Sequence, residues 1–105
     1  MTASSVEASP VVAGFRALAD PLRLQILETL RERELCVCDL CDRLQVNQSK
    51  LSFHLKTLRA AGLVRARQEG RWMYYSLDLT QLVALEQYLS DYRRLATFQP
   101  APRCC

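Results

Sequence analysis

A mainly α domain carrying one small β-hairpin is predicted by three features of this sequence. Apolar residues recur at helical spacing through most of the chain, and two short runs rich in strand formers flank Gly70-Arg71. A length of 105 residues, half of them apolar, leaves room for one compact core and no second domain. The predicted order is α-α-α-α-β-β-α.

Val11, Phe15 and Leu18 mark a first short helix, closed by the Asp20-Pro21 step because the residue before a proline is pushed out of the helical region. Asp20 is then placed to cap a second helix, with Pro21 at its first position and Leu22, Ile26 and Leu30 along one side. Val37, Leu40 and Leu44 suggest a third helix that stops before the polar turn Gln45-Val46-Asn47. Asn47 can cap a fourth helix running to Ala61, with Gly62 as its left-handed stop. Two helices about four residues apart make a helix-turn-helix, and the hairpin of Leu63 to Glu69 and Trp72 to Leu77 that follows directly reads as a wing. A last helix is expected from about Thr80 to Tyr92, carrying Leu82, Leu85, Leu89 and Tyr92. The winged helix-turn-helix domain thus covers residues 11–95, between a disordered segment 1–10 and a flexible tail 96–105 that holds Pro100, Pro102 and a cysteine pair. The apolar stripes of the first and last helices exceed what the small core can absorb, so these helices are the expected interface of a homodimer.

Composition narrows the function. No stretch approaches the roughly 20 apolar residues needed to cross a bilayer, and no secretion signal is visible, so a cytoplasmic protein without a membrane partner is expected. Five cysteines cannot all pair internally, which turns attention from disulfides to metal binding or redox chemistry. Charge is unevenly spread: residues 45–76 hold six basic side chains against Glu69 alone, while the flanks are neutral or acidic. That is the footprint of a phosphate-facing surface.

At about 100° per residue, Leu51, Leu55 and Leu58 form the buried stripe of the fourth helix, and Ser49, Phe53 and Lys56 point the other way. With Gln48, Lys50 and Ser52 they offer hydroxyls, amines and an apolar ring to base edges, phosphates and thymine methyls of double-stranded DNA. His54 falls about 60° from the buried stripe, at the helix shoulder. A supporting or phosphate hydrogen bond suits it better than metal ligation, because the chain has no second histidine. Arg71 at the hairpin tip, with Arg65 and Arg67 on one strand face, can reach phosphates or the minor groove.

Three thiols lie within six residues in Glu34-Leu35-Cys36-Val37-Cys38-Asp39-Leu40-Cys41. Cys38 and Cys41 share a helix face, about 60° apart, and Cys36 can fold toward them if the helix begins near Val37. Three convergent thiolates suit a thiophilic ion rather than magnesium or calcium. A helix start favours the thiolate form, while Asp39 and Asp42 oppose it.

These residues resemble the arsenic-responsive branch of the ArsR/SmtB repressors. Leu35-Cys36-Val37-Cys38-Asp39-Leu40-Cys41 is similar to its inducer-binding segment. Ser49-Lys50-Leu51-Ser52-Phe53-His54-Leu55 is similar to its recognition helix, and Gly62-Leu63-Val64, Glu69-Gly70-Arg71-Trp72 and Tyr75 to its wing. The resemblance covers roughly residues 12–92. It implies a dimer on operator DNA upstream of resistance genes, needing no cofactor to bind, and released when As(III) or Sb(III) is held by Cys36, Cys38 and Cys41. The chain departs from that pattern at Phe53, where arginine is frequent, and at Cys104-Cys105, a possible secondary ligand pair outside the usual motif. The last helix has Asp78, Glu86 and Asp91 without histidine, unlike the zinc-sensing branch, and no cysteine precedes Cys36, unlike the cadmium- and lead-sensing one.

Other readings remain at this stage. A thiol redox switch at Cys38 and Cys41, or at Cys104 and Cys105, keeps the same fold, as does a cadmium- or lead-type soft-metal sensor. An enzyme built on Cys38-Asp39-Leu40-Cys41 is not expected, because a redox Cys-x-x-Cys opens a helix after a strand in an α/β fold and no strand is predicted before Cys38. A metal-storage protein would leave the basic central third unexplained.

Overall fold

The structure, a computed structural model, describes residues 9–104; the expected disordered segment lies outside the described residues up to residue 8, as does Cys105. Among the described residues five helices and three strands follow in the order α1 (Pro10–Leu18), α2 (Pro21–Leu30), β1 (Leu35–Cys36), α3 (Val37–Leu44), α4 (Gln48–Ala60), β2 (Val64–Glu69), β3 (Trp72–Leu77) and α5 (Leu79–Leu95). Local chemistry sets most boundaries. Asp20 Oδ1 accepts from the amides of Leu22 (2.9 Å) and Arg23 (3.1 Å) at the start of α2, and Asn47 Oδ1 accepts from that of Lys50 (2.8 Å) at the start of α4, so otherwise orphaned donors are satisfied. Gln45 ends α3 in a left-handed conformation (φ 55°), and Gly62 takes φ 79° just after α4. Beyond Ala96 the backbone to Cys104 takes no regular form.

The strand β1 was not expected. Its two residues pair antiparallel with β3, Leu35 opposite Tyr75 and Cys36 opposite Tyr74, to give a three-stranded sheet ordered β1-β3-β2. A strand therefore does precede the Cys38-x-x-Cys41 helix, but it is an antiparallel edge of the wing, not the parallel strand of an α/β redox fold. The helix α5 also begins one residue earlier and ends three residues later than predicted.

Ile26 of α2, Leu40 of α3, Leu51, Leu55 and Leu58 of α4 and Leu63 before β2 are fully buried and form the centre of the core. Burying each such side chain contributes about 1.5–3 kcal/mol, which fixes α3 and α4 against α2 and the sheet. α1 and α5 pack together on one side: a Cβ on Gly14 would stand 2.9 Å from Leu85 methyls, so glycine permits the close approach. Gln81 Nε2 donates to the Pro10 carbonyl (2.7 Å) across the same contact.

Candidate nucleic-acid interface and thiol site

The exposed side of α4 carries Gln48, Ser49, Lys50, Ser52, Phe53 and Lys56, and Phe53 is 64% exposed. The capping bond from Asn47 and the buried leucine stripe together fix which residues make up this row. His54 differs from its expected shoulder position. It is only 9% exposed, and its Nδ1 lies 3.1 Å from Nη1 of Arg23 and 4.0 Å from Oδ1 of Asp20. A helical wheel cannot supply such a partner from the start of another helix. Arg23 has no counterpart in the sequence reading, and nothing in its neighbours' spacing marks it out.

On the wing, Arg71 is exposed at the tip beside Gly70, where φ is 62°. Arg67 is exposed but engaged. Its guanidinium donates to both carboxylate oxygens of Glu34 (2.8 and 3.1 Å) and to Glu69, and it stacks 4.6 Å from the Tyr74 ring centre. The Glu34 carboxyl is held below its ordinary range, chiefly by the hydrogen bonds from Arg67. This contact ties the loop before β1 to β2, and the sequence reading did not foresee it.

The thiols cluster where these elements meet. Cys36 is half-buried, ends β1, occupies the N-cap position of α3 without a side-chain capping bond, and donates its thiol proton to Asp39 Oδ2 (3.3 Å). Cys38 is exposed and Cys41 half-buried. Desolvation first, then the neighbouring Cys36 sulfur and, after it, the Asp39 carboxylate push the Cys38 thiol above its ordinary value, so the thiol form is favoured chiefly by desolvation. Among the described residues no three His, Cys, Asp or Glu side chains are gathered tightly enough to hold a metal ion. Cys36, Cys38 and Cys41 thus supply soft donors in close sequence without converging, while Cys104 is a free, exposed thiol in the tail. A recess of about 520 Å³ lies between α3, the start of α4 and the wing, and Cys38, Cys41, Asn47, Gln48, Arg71 and Trp72 all line it.

A helix-turn-helix of α3 and α4, followed at once by a hairpin, defines a winged helix-turn-helix domain. Residues 20–66 match the family described as "Bacterial regulatory protein, arsR family". The chain is similar to the arsenical resistance operon repressor of Bacillus subtilis, 49% identical over 65 residues that cover 61% of this chain and 62% of that one. It is also similar to the transcriptional activator HlyU of Vibrio cholerae, 43% identical over 74 residues, 70% of this chain and 68% of that one. Among solved structures, a homodimeric winged helix-turn-helix DNA-binding domain from Mycobacterium bovis superposes with a TM-score of 0.68 at 30% identity, covering 96% of this chain and 97% of that one. The chain belongs to the ArsR family of bacterial regulatory proteins. The relatives are named as transcriptional regulators rather than enzymes, and the chain spans less than two thirds of the length of several of them.

Proposed function

We propose that the chain is a transcriptional repressor that binds double-stranded operator DNA as a homodimer, and that trivalent arsenic or antimony releases it by binding Cys36, Cys38 and Cys41. One observation carries the reading. Cys38 and Cys41 open into the same recess as Asn47, Gln48 and Arg71, so the thiols sit beside the cap of the recognition helix and the wing tip. Arsenous acid reacts with three thiols, each As–O bond being replaced by an As–S bond while the thiol proton leaves with the hydroxyl as water, and the soft, pyramidal product suits three cysteines within one turn and its entrance. Gathering the sulfurs requires Cys36 to move, and Cys36 both stands at the N-cap position of α3 and pairs with Tyr74 of the wing. The first helix of the helix-turn-helix and the wing therefore both feel the ligand. The setting is cytoplasmic in this reading; among the described residues no helix is long and apolar enough to cross a membrane.

A coupling of about 1–3 kcal/mol between ligand and DNA lowers operator affinity by roughly five- to 150-fold. The test is a fully reduced protein on its operator, titrated with arsenite. The wild type and a variant lacking Cys104 and Cys105 should leave the DNA, while Cys38→Ser should stay bound. Release of Cys38→Ser at the same arsenite concentration would refute the assignment, and retention of the tail variant alone would move the sensor to the tail. A thiol redox switch would leave reduced protein indifferent to arsenite.

A further inference from the structure

One side chain joins three helices. Arg23, in the first turn of α2, donates through Nε to the carbonyl of Ala17 (2.7 Å) and through Nη2 to that of Arg16 (3.2 Å), both at the C-terminal end of α1. Its Nη1 meets Nδ1 of His54, within α4, at 3.1 Å. Arginine has donors only and keeps its charge, so Nδ1 must be the acceptor and the ring proton must sit on Nε2. The ring lies under Phe53, whose own ring meets it edge-on with centres 5.3 Å apart.

We propose that Arg23 and His54 form a clamp that sets the angle at which α4 presents Ser49, Phe53 and Lys56 to DNA, and that the clamp closes only while His54 is neutral. This rests on the DNA-binding part of the reading above and is independent of arsenic. A second ring proton removes the lone pair that Arg23 needs and puts two cations in contact. Asp20, 4.0 Å away, pulls the protonated ring toward itself, although its nearer oxygen already accepts from the amides of Leu22 and Arg23. Arg16 and Lys56 line the adjoining groove with Phe53 and add positive charge on the side of α1. Among the described residues α3 and β2 bring no charged group into hydrogen-bond or ion-pair contact with the ring. The clamp is therefore open whenever Nδ1 carries a proton. Arg23 and His54 act through α4 and are positioning residues.

The chain has one histidine, so nitrogen-15 NMR of the imidazole needs no assignment. At about pH 7.5, where an ordinary imidazole is neutral, Nδ1 should give the unprotonated signal and Nε2 the protonated one. The opposite tautomer overturns the clamp. The second measurement uses a duplex selected from a randomised pool by the wild-type protein. Its affinity is compared at about pH 7.5 and at a lower pH at which the same NMR signals show Nδ1 protonated. His54→Asn keeps an acceptor near the Nδ1 position and does not titrate. On acidification the wild type should lose about tenfold or more relative to His54→Asn, the size expected for losing a charge-assisted hydrogen bond. Equal pH ratios for the two proteins overturn the proposal. Failure of the pool to yield any bound duplex overturns instead the DNA reading on which the clamp's purpose rests, while the NMR result still decides the pairing.

Discussion

One carboxylate oxygen of Asp20, Oδ1, serves two elements. Its amide contacts begin α2, and its charge faces the Arg23 and His54 pair that anchors α4. The amide of Arg23 is the main influence holding the carboxyl below its ordinary 3.8; desolvation opposes it, and the Leu22 amide and the charges of His54 and Arg23 assist. A carboxyl whose folded value is depressed stabilises the fold above its unfolded value, and that stabilisation is lost as pH falls through the lower folded value. Asp20→Ala should therefore lower Tm at neutral pH, and the gap from wild type should close as pH drops below 3.8. Calorimetry across that range checks it; a gap independent of pH would mean that the charge contributes nothing. The caps at Asp20 and Asn47 and the turn at Gly62 were legible in the sequence because each acts on backbone within three residues of itself. His54 was not, since its partner lies 31 positions away and only the packed fold brings it near.

Among the elements, the wing is the one most altered by a feature too short to announce itself. Two residues cannot display a strand period, so β1 becomes visible only once β3 exists to receive it. Its consequence is mechanical. The thiol segment is sewn to the wing by the pairing of Cys36 with Tyr74 and by the bond from Arg67 to Glu34, in addition to carrying the first helix of the helix-turn-helix. Arg67, read from the sequence as a DNA contact, must exchange carboxylate partners before it can hold a phosphate. Exposed ion pairs add little to global stability, so cutting one should loosen this edge without unfolding the domain. In Glu34→Gln, hydrogen exchange should quicken at Leu35, Cys36, Tyr74 and Tyr75, with α2 and α4 unchanged. Unaltered exchange along β1 and β3 would show that the ion pair restrains nothing.

At the scale of the whole molecule, charge and apolar surface are separated. The basic central third supplies α4 and the wing, whereas α5 exposes Leu79, Val83, Leu89, Tyr92 and Leu95. The sequence made this excess visible through the helical stripe, but not its division. Leu85 goes into the core, Leu82 packs at its edge, and Leu89 and Tyr92 stay outside. Phe15 of α1 reaches Tyr88 of α5 with ring centres 6.0 Å apart, which extends the apolar surface onto the first helix. Several large apolar side chains exposed on one helix of a small domain favour an interface there. A single domain of this type reads only a few base pairs, so two-fold pairing through α1 and α5 would bring two recognition helices to successive turns of the duplex. Leu89→Glu with Tyr92→Glu places charges on residues that leave the monomer core untouched. The double variant should therefore keep its helical circular dichroism, run as a monomer in light scattering, and lose operator binding by at least the factor that separates specific from non-specific contact, about 1,000-fold. A variant that stays dimeric would place the interface elsewhere, and a monomer that binds the operator as tightly as wild type would remove the reason for pairing.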